Sequence, residues 1–378
     1  MSKLLTLAKE STKLVDETGA KFYWEVDDHP YKFYNKHLAR WYENEYGVWS
    51  NFVDRSLSSI KENLKDKSID YSIDYNSIFL KKIREKYDYV RLLFSGGSDS
   101  RTVFDTAINN KIYIDELISI YFEDLSLTCN NEIRNLAIPY ANKYKNGYET
   151  HTLLNASWDR MYQHFKDPYG FFTMACGVEA PPNIGRPAFV LLDQPVLPNS
   201  CYIKCSDKPT LVFYKGNWYA TIIDNAVGGE VIIPNQIFFW QEGENIKSHI
   251  KDARTYRDYL ILNYTLGGGT QIFKPNPKEY INGVLRNPPD KNESFNKGIS
   301  GKIDQDHVER FKHVIEDKNF NLMLAYFKCV EKFFEIFPET KINGFENFNN
   351  AGKFAWFINI DTLDVYTQQE LIPNGFES

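Results

Sequence analysis

The sequence predicts an α/β protein built on a doubly wound parallel sheet. Short apolar runs that suit buried strands lie at residues 89–94, 117–122 and 148–154. Segments with helical spacing of apolar residues, 102–110 and 131–144, separate these runs. Strands that alternate with helices in this way form parallel sheets through right-handed crossovers, with helices packed on both faces. We therefore expect the sheet and its helices to be the centre of the fold.

The segments before this alternation predict a helical, aromatic-rich leader over residues 1–75. Residues 37–49 have aromatic side chains at helical spacing, and residues 52–67 continue in the same style. We interpret the leader as helices that pack on a neighbouring domain, and a binding surface is the alternative. An amphipathic helix at residues 78–87 then leads into the first strand.

Beyond about residue 156 the alternation stops, and prolines interrupt an irregular stretch. We predict two hairpins and two helices in this part: hairpins at 210–214 with 218–223 and at 354–360 with 362–367, and helices at 306–317 and 319–337. Three regions follow from the pattern: a helical leader (1–75), an α/β domain (76–200) and an α+β elaboration that we expect to bind the substrate (201–378).

Composition excludes several classes of protein. The 378 residues include 44 basic and 50 acidic side chains, a net charge of −6, which disfavours a protein that coats nucleic acid. Five cysteines are too few for a secreted disulfide framework. No apolar run approaches the roughly 18–20 residues of a membrane helix, and the first residues lack the pattern of a signal peptide. We expect a cytoplasmic protein with no membrane partner.

The segment Ser-Gly-Gly-Ser-Asp-Ser at residues 95–100 follows the first strand and opens a helix. Glycines let the backbone adopt unusual dihedrals and approach a ligand closely. Successive backbone N–H groups and a helix N-terminus together bind anions, and the serines add hydroxyl donors. The segment matches neither the Walker loop nor the dinucleotide fingerprint. The candidate anion-binding residues are Ser95, Gly96, Gly97, Ser98, Asp99 and Ser100.

These six residues resemble the signature Ser-Gly-Gly-x-Asp-Ser of the PP-loop ATP pyrophosphatases, which include asparagine, GMP, NAD and lysidine synthetases. The resemblance covers residues 89–154, under a fifth of the chain. The order of strand, loop and helix is most similar to the synthetase domain of asparagine synthetase. The resemblance implies a HUP-like fold of the adenine nucleotide alpha hydrolase type.

The resemblance also implies a chemistry. ATP is cleaved between its α and β phosphates with Mg²⁺ bound, and AMP is transferred to a carboxylate or carbonyl oxygen that ammonia or an amine then attacks. It implies catalytic roles for Asp99 and Ser100. The Asp99 carboxylate suits a divalent cation beside the phosphates, and orienting the loop is the alternative. The resemblance places adenine against the backbone near Leu93 and Phe122. The implied enzyme is an AMP-forming ligase that takes a small-molecule acceptor.

The sequence departs from the family in two places. Residue 2 is Ser2, and no cysteine precedes Cys129, so the thiol-dependent glutaminase domain of asparagine synthetase is not expected. The second pyrophosphate segment is not recognisable, with residues 175–179 its nearest candidate, and the glycine-rich residues 266–270 are interpreted as a turn. Two other readings stay open: a PP-loop enzyme that modifies tRNA or nucleobases, and a non-catalytic nucleotide-binding module.

Weaker features have ordinary explanations. Cys201 and Cys205 lack the CxxC spacing of zinc or iron–sulfur sites, so we interpret them as buried thiols, with a metal or redox role as the alternative. His151 follows the start of the third strand and is a weak candidate for a ligand contact. The basic segments 81–86 and 247–257 suit solvated helix faces, and a tRNA-binding patch is the alternative.

Overall fold

A computed structural model describes residues 2–127, 130–173, 188–205, 210–224, 235–266, 319–339 and 353–372. Its strands are β1 (Phe22–Val26), β2 (Lys32–Phe33), β3 (Ser50–Asp54), β4 (Tyr89–Leu93), β5 (Ile114–Phe122), β6 (Tyr148–Ala156), β7 (Ser200–Lys204), β8 (Thr210–Tyr214), β9 (Asn217–Ile223), β10 (Gln236–Phe238), β11 (Phe354–Asn359) and β12 (Val365–Tyr366). Its α-helices are α1 (Lys3–Thr18), α2 (Lys36–Tyr46), α3 (Leu57–Asn63), α4 (Tyr75–Lys86), α5 (Ser98–Asn109), α6 (Ile138–Lys143), α7 (Trp158–Phe165), α8 (Gly170–Thr173), α9 (Ile246–Leu266), α10 (Phe320–Ile336) and α11 (Gln368–Leu371).

A five-stranded parallel sheet with the strand order β10-β7-β4-β5-β6 lies at the centre of the fold. The predicted α/β class is therefore confirmed, and the three predicted strands are β4, β5 and β6. Read from the β6 edge to the β10 edge, and numbered by their order in the chain, the five strands follow the order 3-2-1-4-5. The order reverses between β4 and β7, and such a switch point opens a crevice at the carboxyl ends of the strands.

Each face of the sheet has its own apolar core, because successive strand residues point to opposite faces. On one face Leu92 and Ile203 pack with Leu80 of α4 and Phe104 of α5. On the other face the core includes Ile118, Tyr202 and Phe238 of the sheet, and α7 contributes Met161 and Phe165. The helices that follow β4 and β5 thus lie opposite the helix that follows β6, as in a Rossmann-like fold.

The prediction that residues 1–75 are helical was wrong in part. Helices α1, α2 and α3 form, but β1, β2 and β3 make an antiparallel sheet with the order β2-β1-β3. Within the predicted helix 52–67, β3 alternates buried and less buried residues from Ser50 to Asp54, and only α3 is helical. The aromatic residues of this region fit both the spacing of a helix and the alternation of a strand. Pairing with β1 makes residues 50–54 a strand.

The C-terminal part forms a four-stranded antiparallel sheet with the order β12-β11-β9-β8. Both predicted hairpins are confirmed, and α10 matches the helix predicted at 319–337; the helix predicted at 306–317 lies outside the described residues. The central sheet also takes β7 and β10 from beyond residue 199, although the sequence indicated neither strand. None of the helices in the described ranges has the length and apolar character of a membrane-spanning segment.

Two buried ion pairs connect α2 to the C-terminal sheet. Lys36 contacts Asp224 at 3.0 Å, and neither side chain is more than 1% exposed. Lys353 donates to Glu43 and to the hydroxyl of Ser50. A buried charge that loses its partner is strongly destabilising, so each pair fixes the position of α2 against the sheet.

His249 of α9 is a buried imidazole. Its Nδ1 lies 3.0 Å from the carbonyl oxygen of Trp240, so Nδ1 carries the proton and donates. Among the described residues its Nε2 has no hydrogen-bond partner. Burial lowers the pKa of His249 to about 4, against the weaker opposing effect of the bond to Trp240.

We predict that acid destabilises the protein through His249. Between pH 6.5 and pH 4 the unfolded chain binds a proton at this imidazole and the folded protein does not, so the free energy of unfolding falls by about 3 kcal/mol. His249→Asn keeps a donor for the carbonyl of Trp240 and cannot titrate. In urea unfolding at pH 7 and pH 4.5, the variant should lose less stability than the wild type, and equal losses would contradict the assignment.

Candidate functional site

The Ser95–Ser100 loop lies at the carboxyl end of β4, as the sequence predicts. Phe94 anchors its start, because the backbone N–H of Phe94 donates to the carbonyl of Ile118 at 2.7 Å. Helix α5 begins at Ser98, four residues earlier than predicted, with Gly97 as its N-cap. The N–H groups of the first turn of α5 have no acceptors within the helix, and they face the loop that precedes the helix. They are therefore available to an anion at the loop.

Serine hydroxyls hold the loop in shape. The hydroxyl of Ser95 accepts the N–H of Gly97 at 3.2 Å. Ser100 is buried, and its hydroxyl donates to the carbonyl of Gly97 at 3.2 Å and lies 3.5 Å from the Ser95 hydroxyl. Ser98 donates to a carboxylate oxygen of Asp99 at 3.2 Å. Ser95 and Ser100 thus brace the backbone that would meet an anion.

The two glycines are required by contacts with the chain itself. Gly96 has a φ of +78°, and a Cβ on it would lie 2.6 Å from the Cα of Ala137 and against the backbone nitrogen of the same residue. Ala137 ends a π-helical turn, Ile133–Ala137, that follows β5 and leads into α6. A Cβ on Gly97 would instead lie 2.6 Å from Oε1 of Glu132.

Glu132 belongs to the site, although the sequence analysis missed it. Its Oε1 lies 3.3 Å from the hydroxyl of Ser95, just before the π-helical turn begins. Nothing in the sequence marks Glu132, because a single acidic residue in a polar segment has no periodic signal. Only the fold brings it to a loop more than thirty residues earlier.

Asp99 is close to the carboxyl end of β7, across the switch point. Burial raises the pKa of the Cys205 thiol well above its usual value, and the negative charge of Asp99 adds to the rise while Lys204 opposes it. Lys204 is buried at the last position of β7, with its ammonium 5.6 Å from the centre of the Phe238 ring. The carboxyl ends of β4 and β7 thus bring Asp99 of the loop close to Lys204 and Cys205.

The backbone at Phe122 is already engaged by a side chain. The N–H of Phe122 donates to Oδ1 of Asn130 at 2.8 Å, and its carbonyl accepts from Nδ2 of Asn130 at 2.7 Å. The N–H of Phe122 is therefore committed, and its carbonyl also accepts the backbone N–H of Asp124 at 2.7 Å, so both lone pairs are used. Leu93, the other residue expected near adenine, is a half-buried strand residue that pairs with Ile118. Asn130 gave no signal in the sequence.

A groove of about 630 Å³ opens where β5 ends, and its size suits a small ligand. Glu123 has a φ of +50°, which is unusual for a residue with a side chain. Its Oε2 accepts the backbone N–H of Trp158 at 2.9 Å, which joins the ends of β5 and β6. The residues that line the groove are Tyr121, Glu123, Asp124, Leu125 and Trp158.

The weaker candidates have structural explanations. His151 lies half-buried on the edge strand β6, with Nε2 2.8 Å from the hydroxyl of Ser119, and burial lowers its pKa. Cys201 and Cys205 are buried free thiols, and burial raises the pKa of Cys201 to about 12. In the part of the chain that the structure describes, no three His, Cys, Asp or Glu side chains form a metal-binding group. Residues 175–179 and 267–270 lie outside that part.

Both basic segments make intramolecular bonds. Arg84 pairs with Asp115. In the second segment Lys247 pairs with Asp66 at 2.6 Å, and Arg254 donates to the carbonyl of Ile360 at 2.5 Å. These contacts pair Arg84 of the first segment and Lys247 and Arg254 of the second within the protein, while Lys81 and Lys82 are exposed on α4.

The site thus combines a braced glycine loop, a helix N-terminus, a carboxylate at a switch point and a groove one strand away. Donors of this kind stabilise phosphate groups, and the carboxylate suits a divalent cation. Comparisons with protein-family models, curated proteins and solved structures found no match to this chain.

We predict that the two loop glycines tolerate alanine differently. Gly96→Ala should lower the free energy of unfolding by about 3 kcal/mol or more, since it combines a left-handed φ with a clash against rigid backbone. Gly97→Ala should cost about 1 kcal/mol, because φ is ordinary and the Glu132 side chain can move. Chemical denaturation measures both. A larger loss in Gly97→Ala would show that the contacts with Ala137 and Glu132 are misassigned.

Proposed function

We propose that this protein is an ATP-dependent adenylating enzyme that releases pyrophosphate. It activates a carboxylate or carbonyl oxygen of a small molecule, and ammonia or an amine then attacks the activated carbon. The observation that carries the proposal is the position of the Ser95–Ser100 loop. It ends the first strand of a parallel sheet at the switch point and turns directly into the N-terminus of α5.

The phosphates of ATP suit the loop by charge and by hydrogen bonding. The N-terminus of α5 contributes a partial positive charge, and its first N–H groups are donors without intrahelical acceptors. Ser98 adds a half-buried hydroxyl at the first position of the helix. Lys204 ends the neighbouring strand β7 and adds a positive charge near the switch point, with its ammonium over the ring of Phe238.

Asp99 is the residue that would hold Mg²⁺. Its carboxylate shares the crevice with the phosphates, and a like charge there is unfavourable unless a cation lies between them. Mg²⁺ is usually bound by one or two carboxylates together with phosphate oxygens, and it would stabilise charge on the leaving pyrophosphate. Asp99 also lies in the first turn of α5, where the helix dipole stabilises any acidic side chain. An experiment must separate these two roles.

The nucleoside end of ATP suits the groove at the end of β5. Acidic residues at the end of the second strand bind ribose hydroxyls in nucleotide-binding sheets, and Glu123 and Asp124 occupy that position. Both backbone groups of Phe122 already have partners, so adenine would contact this backbone only by replacing Asn130 or the N–H of Asp124. Tyr121 and Trp158 add aromatic surface to the same groove.

The proposed reaction has two balanced steps. An acceptor oxygen bonds to the α-phosphorus of ATP while the bond to the bridging oxygen breaks, and pyrophosphate leaves with that oxygen. The nitrogen of ammonia or an amine then bonds to the activated carbon, and AMP leaves with the acceptor oxygen. The nitrogen nucleophile loses a proton as the product forms.

We expect that turnover releases AMP and pyrophosphate. The purified protein is incubated with ATP, Mg²⁺, ammonium and pools of small carboxylic acids and amides, and nucleotide products are separated by chromatography. A parallel reaction replaces the small molecules with total tRNA, which tests the modification reading. Production of ADP and phosphate alone would contradict the proposal, as would AMP formation that depends on tRNA and on no small molecule.

Replacing the Asp99 carboxylate by an amide separates its two roles. Asp99→Asn should slow Mg²⁺-dependent AMP formation by about 10²-fold or more, the usual scale of losing an electrostatic transition-state contact. Asp159→Asn is the matched control, since Asp159 occupies the first turn of α7 as Asp99 does in α5. Both variants should lose similar small amounts of thermal stability. Wild-type turnover in Asp99→Asn at saturating Mg²⁺ would remove the metal role and leave a helix-capping one.

A further inference from the structure

Glu132 places a negative charge in the part of the loop that would receive phosphate. Its Oε1 lies over the Cα of Gly97, on the side where a Cβ would be, and 3.3 Å from the hydroxyl of Ser95. The side chain is exposed, so it is free to change rotamer. In the described part of the chain Glu132 forms no salt bridge. An exposed carboxylate of this kind can extend into water, yet here it lies against the loop.

The field of α5 explains why the carboxylate lies there. The helix begins at Ser98, so Gly97 is at its positive end, and anions near such an end are stabilised. The hydroxyl of Ser95 can donate to a carboxylate as it would to a phosphate oxygen. Gly97 has no Cβ, which leaves room for one oxygen atom above it. This position therefore accepts an oxyanion, and Glu132 supplies it.

We propose that Glu132 is an internal anion that occupies the polyphosphate cradle in the free protein, and that nucleotide binding displaces it. The proposal rests on the function proposed above. A phosphate oxygen takes the place of Oε1 beside Ser95, and the Glu132 side chain rotates into solvent. Competition of this kind weakens the binding of free anions and makes Glu132 a determinant of affinity.

The fold keeps Glu132 at this position through Gly96. The backbone of Gly96 packs on the backbone of Ala137, which holds the π-helical turn against the loop. Glu132 directly precedes this turn, so its Cα is fixed while its carboxylate is mobile. Displacement thus needs only side-chain rotation.

The test is the binding of inorganic pyrophosphate in the presence of EDTA, measured by calorimetry. Without a divalent cation, the experiment reports repulsion alone and excludes a role of Glu132 as a metal ligand. The variants are Glu132→Gln and Glu132→Ala, and Glu149→Gln is the matched control. Glu149 is an exposed residue near the start of β6, so it lies at the amino ends of the strands, whereas the loop lies at their carboxyl ends. Replacing Glu149 by glutamine changes the net charge by the same amount.

Glu132→Gln and Glu132→Ala should bind pyrophosphate about fivefold more tightly or better, because a charge within a few ångströms of the ligand is removed. The gain should shrink as salt is raised, and Glu149→Gln should bind as the wild type does. Pyrophosphate binding that is unchanged or weaker in Glu132→Gln overturns the proposal and leaves the adenylating function standing. If neither the wild type nor any variant binds pyrophosphate or MgATP, the proposed function fails as well.

Discussion

The contact of two backbones, at Gly96 and Ala137, is the constraint on which the site depends. Only a residue without a Cβ lets the loop after β4 approach the turn after β5 so closely. The approach fixes three things together: the entry into α5, the position of Glu132 above Gly97, and the direction in which the chain enters α6. Ser95 and Ser100 then complete the loop with hydroxyl bonds that need no other part of the protein.

The parallel sheet places the loop where a ligand can reach it. Because all five strands run in one direction, the residues that follow β4, β5 and β7 meet at one edge. Within the sheet, Arg91 and Glu116 form a buried ion pair at 2.9 Å that joins β4 to β5. Exposed side chains such as Glu132 are thus carried on a packed sheet, which is the usual division between scaffold and function.

Local pattern was enough to predict β4, β5, β6 and the loop, because each is a continuous run with its own signal. It was insufficient for β7 and β10, which are short and acquire their place only by pairing with strands far away in the chain. The local pattern failed for β1 to β3, because the aromatic residues there fit both helical spacing and strand alternation. Asn130 and Glu132 escaped notice for a further reason: each acts through a polar contact whose partner no spacing rule identifies.

The ion pairs that hold α2 have a consequence for the order of folding. Lys36 and Asp224 are separated by 188 positions, and Glu43 and Lys353 by 310. During synthesis α2 leaves the ribosome long before either partner exists, so its charged side chains must stay hydrated until the C-terminal sheet has been made. Contacts of such high sequence separation form late and slow the final docking. A nascent chain paused before residue 353 therefore has a complete N-terminal sheet, but Glu43 of α2 still lacks Lys353 and the C-terminal sheet still lacks β11 and β12.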